Sequence, residues 1–275
     1  MGLFSKLFGS KAYKPKQPTL DVGLKAERRI ISPPPAKSNQ YKIIVEHLGC
    51  DYVLFEKEKD GEKIFNTWKE LSEQGKKEGF FPLIIVCDDL ICEMFEFAAE
   101  DYGTREQILQ EAQTLDVSKL FEKWYNERAA DADSGEEIVD FGEFIECDPS
   151  DSFTSCTDFN GRPHSAVIIA KIPAKNPWEL AAWVPVGACN YDQSPLEHIA
   201  VFKYWYEKYG AVPGLVTFEV WEMFATKPPT TDETSEVLAW EQFKFCPDIV
   251  EQGVGTLRAL ASSLKNSSCW YFWWD

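Results

Sequence analysis

Nucleophilic catalysis by cysteine would require a thiol with a base nearby, and this sequence offers few such pairs. The best-placed base is His198, at the start of a capped helix, and the thiols considered with it are Cys189 and Cys246. Sequence spacing alone does not pair them. Because His198 begins a stripe of apolar and aromatic side chains that continues with Ile199 and Phe202, we favour a hydrogen-bonded structural histidine.

Paired carboxylates could provide a general acid and a general base if their environments differ. Asp248 and Glu251 stand three residues apart, directly after Cys246 and Pro247. Such spacings arise easily in a chain with 45 acidic residues. We therefore keep a small-molecule hydrolase or transferase built from His198 with Asp248 and Glu251, and with Cys246 as a further candidate, as the alternative function. The sequence does not decide whether the protein is an enzyme, and we favour a protein without catalytic activity.

Motifs for cofactors and metals are missing from the sequence. There is no phosphate-binding Walker loop, no dinucleotide glycine fingerprint, no G-x-S-x-G and no H-E-x-x-H. The acidic run that begins at Asp131 resembles a calcium loop only superficially, since Gly135 falls at the fifth position and Gly142 at the twelfth. We expect no metal site and no cofactor, and the eight cysteines contain no C-x-x-C pair and are expected to be reduced thiols.

The net charge of −17 disfavours a nucleic-acid-binding protein, because phosphate neutralisation needs clustered Lys and Arg. A basic protein is the expected kind of partner. Residues 1–40 are an exception, with eight basic residues against two acidic ones, a local +6 that leaves −23 for the remainder. No apolar run reaches the length of a transmembrane helix, and we expect a cytoplasmic protein. Leu3, Phe4, Leu7 and Phe8 allow a weak N-terminal membrane contact.

Residues 1–40 read as a basic, proline-rich arm and residues 41–130 as an α/β domain. In this domain we predict two strands, over YKIIV and DYVLF, a helix around Trp68, and a buried strand over FFPLIIVC. A helix over Leu90 to Ala99, one with a capping box from Thr104, and one from Val117 complete it.

Residues 131–162 are predicted to form an acidic connector between domains, because no basic residue lies between Arg128 and Arg162. Phe141, Phe144 and Phe153 could fix parts of this connector to the folded units.

Residues 163–275 are predicted to form a mixed-sheet α+β domain with the order ββαβααβ. The first two strands are expected over SAVIIAKI and ELAAWVPV and the third over LVTFEVWEMFA. Ser194, Pro195 and Glu197 are typical of a helix start, and Gly210 ends this helix. The whole chain is therefore assigned to the α+β class.

The final WYFWW is predicted to be a strand with aromatic side chains on both faces. Either it is a central strand buried on both sides, or one face forms a stacking surface for a ligand or partner.

Several motifs in the last third of the chain occur together in one order. They are Ala188-Cys189-Asn190, SPLEHIAVFKYWYEKYG, KPPTT, EQFKFCPDIVEQGVGTLRALA and WYFWWD. With them, residues 166–275 resemble the bacterial domain-of-unknown-function family 4253 (DUF4253). The resemblance implies no reaction, since the family has none agreed. It points to the motif-matching positions, which are Asn190, His198, Trp205, Gln242, Cys246, Asp248, Gln252, Gly253 and Asp275.

Charge, aromatic content and the missing catalytic motifs together favour a non-enzymatic macromolecule-binding protein. An immunity protein that neutralises a basic nuclease toxin is a special case, in which negative charge would speed association. The residues expected to bind a ligand or partner are Asn190, Trp205, Gln242, Gln252, Trp270 and Trp274.

Overall fold

The computed structural model describes residues 40–131, 138–184 and 193–275. The described helices are α1 Gln40–Leu48, α2 Gly61–Glu78, α3 Asp89–Asp101, α4 Arg105–Ala112, α5 Val117–Asp131, α6 Pro195–Tyr209, α7 Asp232–Phe245 and α8 Leu257–Leu264. The described strands are β1 Tyr52–Glu56, β2 Phe81–Val86, β3 Ala166–Ile172, β4 Ala211–Val216, β5 Val220–Ala225 and β6 Cys269–Trp273. A 3-10 helix, Pro177–Ala182, and a π-helix, Ile249–Val254, complete the set. The predicted α+β class is confirmed.

All six strands form one mixed sheet in the order β1-β3-β2-β4-β5-β6. Strands β2 and β4 are parallel, and every other neighbouring pair is antiparallel. Strand β3, which follows the acidic segment, lies between β1 and β2, which precede it. The predicted ranges 41–130 and 163–275 therefore contribute strands to the same sheet.

Helices cover both faces of this sheet. On one face, α2 packs Phe65 and Trp68 against strand residues such as Ile84. On the other face, the remaining helices form a larger apolar cluster that includes Trp205 and Phe272. No described helix combines the length and apolar composition that crossing a bilayer requires. The N-terminal segment of the predicted membrane contact lies outside the described residues.

Two of the predicted strands are wrong. YKIIV lies within helix α1, because Ile44 and Leu48 are four residues apart and both face the core. This helix ends at Gly49, whose positive φ of 62° suits glycine. The described part of ELAAWVPV begins inside the 3-10 helix, where Pro177 occupies the first turn and Glu179 accepts a hydrogen bond from the Lys175 backbone, and its last two residues lie outside the described residues.

The segment LVTFEVWEMFA is two strands instead of one. A turn at Thr217 separates β4 from β5, and the Thr217 hydroxyl accepts a hydrogen bond from the Val220 backbone N–H. The C-terminal order is therefore β, 3-10 helix, αββα, π-helix, αβ, which corrects the predicted ββαβααβ. The terminal aromatic strand is confirmed as β6.

Two helix starts are confirmed, whereas α7 is capped by Thr231 and Thr234 and not by Thr230 and Glu233, the pair that the sequence pattern predicts. Thr104 caps α4 and Ser194 caps α6, each with the full capping box. Pro195 stands in the first turn of α6, and Gly210 ends it in the left-handed conformation, with φ 62°. This cap fixes the position of His198 in the first turn.

The described part of the acidic connector, from residue 138 onward, lies against α8 in the C-terminal part of the chain and against α2 in the N-terminal part. Phe153 is buried and contacts Phe65 and Trp68 with ring centroids 4.9 and 5.0 Å apart. Phe141 and Phe144 are exposed. The described part of the connector therefore holds one of its aromatic side chains, Phe153, in the core and presents three, Phe141, Phe144 and Phe159, at the surface.

Strand β4 passes close beneath Phe153 at Gly214. A Cβ atom built on Gly214 would lie 2.1 Å from Cζ of Phe153 and 3.0 Å from Cζ2 of Trp68. Only glycine allows this approach without a shift of the aromatic rings.

We predict that Gly214→Ala lowers the free energy of unfolding by about 1–3 kcal/mol, the usual cost of overpacking a core. Urea denaturation followed by circular dichroism measures the change. Adding Phe153→Leu should recover part of the loss, because the smaller side chain relieves the clash. Wild-type stability for Gly214→Ala would show that the rings do not pack this closely.

Candidate functional site

His198 is a core residue. Its side chain is almost completely buried, and its Nδ1 lies 2.9 Å from the carbonyl oxygen of Ser194, so Nδ1–H donates to that carbonyl. The rings of Phe202, Phe245 and Trp274 surround the imidazole at centroid distances of 5.1–5.9 Å. Burial lowers the pKa of His198 to about 4, which keeps it neutral at physiological pH.

Cys246 and Asp248 hold the end of strand β6. The buried Cys246 thiol donates to the carbonyl of Trp273, with sulfur and oxygen 3.0 Å apart, and burial raises its pKa well above the ordinary value. Asp248 accepts a hydrogen bond from the Asp275 backbone N–H at 3.0 Å and one from Gln252 at 3.3 Å. The structure thus brings four motif positions together, as a clamp on the last strand.

Glu251 points to a different neighbour. It accepts a hydrogen bond from Nε of Arg128 at 3.0 Å and so ties the π-helix to α5. In the described structure, the two carboxylates of the proposed acid–base pair therefore have separate structural roles. A thiol held protonated by burial also makes a poor nucleophile.

The aromatic residues predicted to bind a partner are core residues. Trp205 is fully buried, donates to Glu241 at 3.1 Å and stacks on Phe272 with centroids 5.2 Å apart. Trp270 is buried and donates to the Ser267 carbonyl, and Trp274 is also buried. Of the two interpretations of β6, this arrangement fits packing better than a stacking surface for these residues.

The remaining predicted positions differ in exposure. Gln242 is fully buried, and neither of its amide atoms has a hydrogen-bond partner among the residues that the structure describes. Gln252 belongs to the clamp and is exposed. Asn190 and Cys189 lie outside the described residues. The described residues contain no group of three His, Cys, Asp or Glu side chains arranged to hold a metal ion.

An exposed surface that the sequence did not single out as a site lies where α5, α7 and the acidic connector meet. We call it the aromatic strip, and it consists of the exposed side chains of Tyr125, Phe141, Phe144, Ile145 and Val237 together with the half-buried Trp240. Trp240 links its parts, with ring centroids 6.1 Å from Tyr125 and 5.6 Å from Phe141. The Arg258 guanidinium lies 5.3 Å from the Phe144 ring and 6.0 Å from the Phe141 ring.

The connector half of the strip is held by backbone hydrogen bonds. The first two N–H groups of α8, at Leu257 and Arg258, donate to the carbonyls of Asp140 and Phe141 at 2.8 and 2.9 Å. The Ile145 N–H donates to the Ser262 hydroxyl at 3.0 Å. These bonds keep the exposed aromatic side chains in a defined position, which a loose acidic linker would not.

Sequence analysis could have found only part of this strip. Phe141 and Phe144 stand out as aromatic residues in an acidic run, although they were assigned the role of fixing the connector. Tyr125, Val237 and Trp240 carry no local signal, because only the packing of α5 against α7 decides which helix faces stay exposed.

Glu222 is a buried carboxylate on strand β5. It accepts hydrogen bonds from the backbone N–H groups of Thr154 at 2.9 Å and Ser155 at 2.7 Å. Burial raises the pKa of Glu222 from 4.5 to about 7, and these hydrogen bonds oppose the rise. The nearby Cys156, Cys269 and Tyr271 have pKa values raised by burial and by the Glu222 charge.

Comparison with known proteins identifies the C-terminal part of the chain. Residues 168–275 match the model of the family described as Domain of unknown function (DUF4253), which confirms the resemblance inferred from the motifs. No curated protein and no solved structure matches the chain. The match includes the clamp and His198 but not the connector residues of the aromatic strip.

We predict that Glu222→Gln removes a pH dependence of stability. In the wild type, the folded chain binds a proton at Glu222 more tightly than the unfolded chain does. The Glu222 contribution to stability is therefore greatest below pH 4.5 and falls by up to about 3 kcal/mol as the pH rises to 7. Urea denaturation between pH 4.5 and 8 measures this slope.

The amide variant should lose this decline and be more stable than the wild type at pH 8. The exposed Glu143→Gln is the matched control for loss of a charge and should follow the wild type. Parallel curves for all three proteins would contradict the assignment. His198 contributes the opposite slope, because its lowered pKa makes stability rise with pH between 4 and 6.5.

Proposed function

We propose that this protein is a non-enzymatic binding protein and that its aromatic strip contacts a basic protein partner. The observation that carries the proposal is the group of exposed aromatic and aliphatic side chains on α5, α7 and the connector, which the half-buried Trp240 joins through ring contacts with Tyr125 and Phe141. Contiguous exposed apolar surface on a soluble protein commonly marks an interaction site. Tyr and Trp are also enriched among the residues that dominate binding energies.

The charges beside the strip favour a basic partner. Asp140, Glu143 and Glu146 are exposed in the same connector segment as Phe141 and Phe144. Arg258, which lies against the two rings, is neutralised by Glu236 at 2.9 Å. The exposed acidic groups therefore give the surroundings of this half of the strip a negative potential, which would steer a positively charged protein towards it.

The positions of the catalytic candidates support binding over catalysis. His198 and Cys246 are buried, Asp248 holds the end of β6, and Glu251 pairs with Arg128. A hydrolase or transferase would need these groups to meet at a place that a substrate can reach. No geometry of the described residues specifically favours that alternative.

In its more specific form, the proposal is an immunity-type protein of the bacterial cytoplasm. Its partner would be a basic nuclease toxin, and the strip would supply apolar contacts while the connector supplies charge complementarity. Electrostatic steering of this kind accelerates association and weakens at high salt.

The test is a native pull-down from source-cell lysate, followed by mass spectrometry. Wild-type protein should retain a basic protein in stoichiometric amount, and its retention should fall at high salt. We expect Phe144→Asp and Val237→Asp each to reduce retention about tenfold or more, because each places a charge in the apolar contact. The immunity form further requires that the retained protein has nuclease activity and that the wild type inhibits it.

Ile43→Asp is the matched control, since Ile43 is an equally exposed aliphatic residue on α1 that belongs to no part of the strip. Circular dichroism should show that all three variants are folded. The proposal fails if no basic protein is retained, or if the strip variants and Ile43→Asp retain it as the wild type does.

A further inference from the structure

The two edges of the sheet differ in how their backbone groups are used. At the β6 edge, the Cys269 N–H donates to the Ser150 carbonyl at 3.0 Å. The Trp273 carbonyl at the same edge accepts a hydrogen bond from the Cys246 thiol. At the other edge, β1 pairs with β3 on one side and with no described strand on the other. One edge of the sheet is therefore covered, and the other is open.

Two hydrogen bonds show which backbone groups of β1 face β3. The Asp51 carbonyl accepts a hydrogen bond from the Lys171 N–H at 2.7 Å. The Lys57 N–H donates to the Ser165 carbonyl at 3.3 Å. Because this direction alternates along an antiparallel strand, the odd-numbered residues of β1 direct their backbone groups towards β3. The even-numbered residues direct theirs away from the sheet.

The outward N–H and carbonyl groups of β1 belong to Tyr52, Leu54 and Glu56. None of these groups is hydrogen-bonded to a residue that the structure describes. Val53 and Phe55 are half-buried on one face of the strand, and Leu54 is half-buried on the other. An open edge strand with apolar side chains is a template for pairing with a further strand.

The sequence of β1 is complementary to itself in the antiparallel direction. Outward-facing residues must pair with outward-facing residues, and a two-fold axis at Leu54 satisfies this rule while aligning all five residues of the strand. This axis places the Tyr52 hydroxyl, a donor, opposite Glu56 of the second copy. It also places Val53 opposite Phe55 of the second copy, and such pairs of β-branched and aromatic side chains stabilise sheets.

The charges at the two ends of β1 follow the same symmetry. Asp51 precedes the strand and Lys57 follows it, and neither forms an ion pair in the described structure. The axis at Leu54 brings Asp51 of each copy to the end that carries Lys57 of the other. Lys57 has a φ of 49°, which ends the extended backbone, so the contact is made by its long side chain.

We propose that β1 pairs with β1 of a second copy of this chain, giving a symmetric dimer with one continuous sheet. The outward residues exchange backbone hydrogen bonds across the axis, and the ion pairs between Asp51 and Lys57 fix the register. Helices already cover both faces of the sheet, so pairing at the edge leaves them in place. This surface is separate from the aromatic strip, none of whose residues lies on β1.

Sedimentation equilibrium of the full-length protein at increasing micromolar concentrations tests this proposal. We expect the average mass to rise from that of one chain to that of two. Glu56→Pro removes an outward N–H, spares the hydrogen bonds to β3 and suits an edge strand, and it should weaken dimerisation about tenfold or more. Glu56→Ala is the matched control, because it removes the same side chain and keeps the N–H. It should dimerise about fivefold or more tightly than the proline variant.

Charge reversal tests the register without a change to the backbone. Asp51→Lys and Lys57→Asp each bring like charges together in the dimer and should each weaken association about tenfold. The double variant exchanges the two charges and should restore the wild-type affinity to within about threefold. Within one chain the two residues lie at opposite ends of a five-residue strand, so this rescue reports a contact between copies.

The proposal is overturned if the full-length protein remains a single chain at millimolar concentration. It is equally overturned if a dimer forms and the folded Glu56→Pro and charge-reversal variants dimerise as the wild type does. Circular dichroism establishes folding, and the exposed Asp51 and Lys57 keep the test valid if the proline variant unfolds. A dimer that Phe144→Asp disrupts and Glu56→Pro retains would belong to the aromatic strip, which also contradicts the proposal.

Discussion

The attachment of an acidic connector to an acidic protein is the constraint on which much of this structure depends. Ion pairs contribute little to it, because no described carboxylate of the connector lies within ion-pair distance of a described Lys or Arg. Backbone groups make the attachment instead. Carbonyl groups of the connector accept hydrogen bonds from the first two N–H groups of α8, and the Ser150 carbonyl accepts one from the Cys269 N–H. The Glu222 carboxylate accepts hydrogen bonds from two N–H groups of the connector. These bonds are less sensitive to salt than surface ion pairs are, and they place charged side chains outward.

The same arrangement satisfies some of the buried polar groups of the C-terminal half. The connector provides the N–H groups that hydrogen-bond to the Glu222 carboxylate. The Ser267 hydroxyl accepts a hydrogen bond from the Ser150 backbone N–H at 2.9 Å. His198 and Cys246 are similarly satisfied by backbone carbonyls. Burial has opposite effects on the two titratable groups, since it keeps His198 neutral by lowering its pKa and favours neutral Glu222 by raising it.

Local signals in the sequence were sufficient for much of the secondary structure. The capping boxes at Thr104 and Ser194 and the apolar run of β2 each identify an element without tertiary information. Short segments were ambiguous, as in YKIIV, where strand propensity is outweighed by the packing of two side chains one helical turn apart. Long-range properties were not predictable. The raised pKa of Glu222 and the partial exposure of Trp240 depend on residues far away in the chain. Trp205 and Trp270, which the sequence analysis assigned to a binding surface, are buried in the core.

The position of β2 in the sheet gives the family match a particular meaning. Strand β2 lies between β3 and β4 in the sheet. Two strands of the C-terminal part of the chain are therefore connected through a strand that precedes the matched residues 168–275. A chain beginning at residue 168 would have to leave the inner edges of β3 and β4 unpaired or close the sheet in another register. During synthesis, the edge of β2 that pairs with β4 stays unpaired until Val216, the last residue of β4, has left the ribosome. The matched range is thus a unit of sequence similarity, while the unit of folding includes the segment before it.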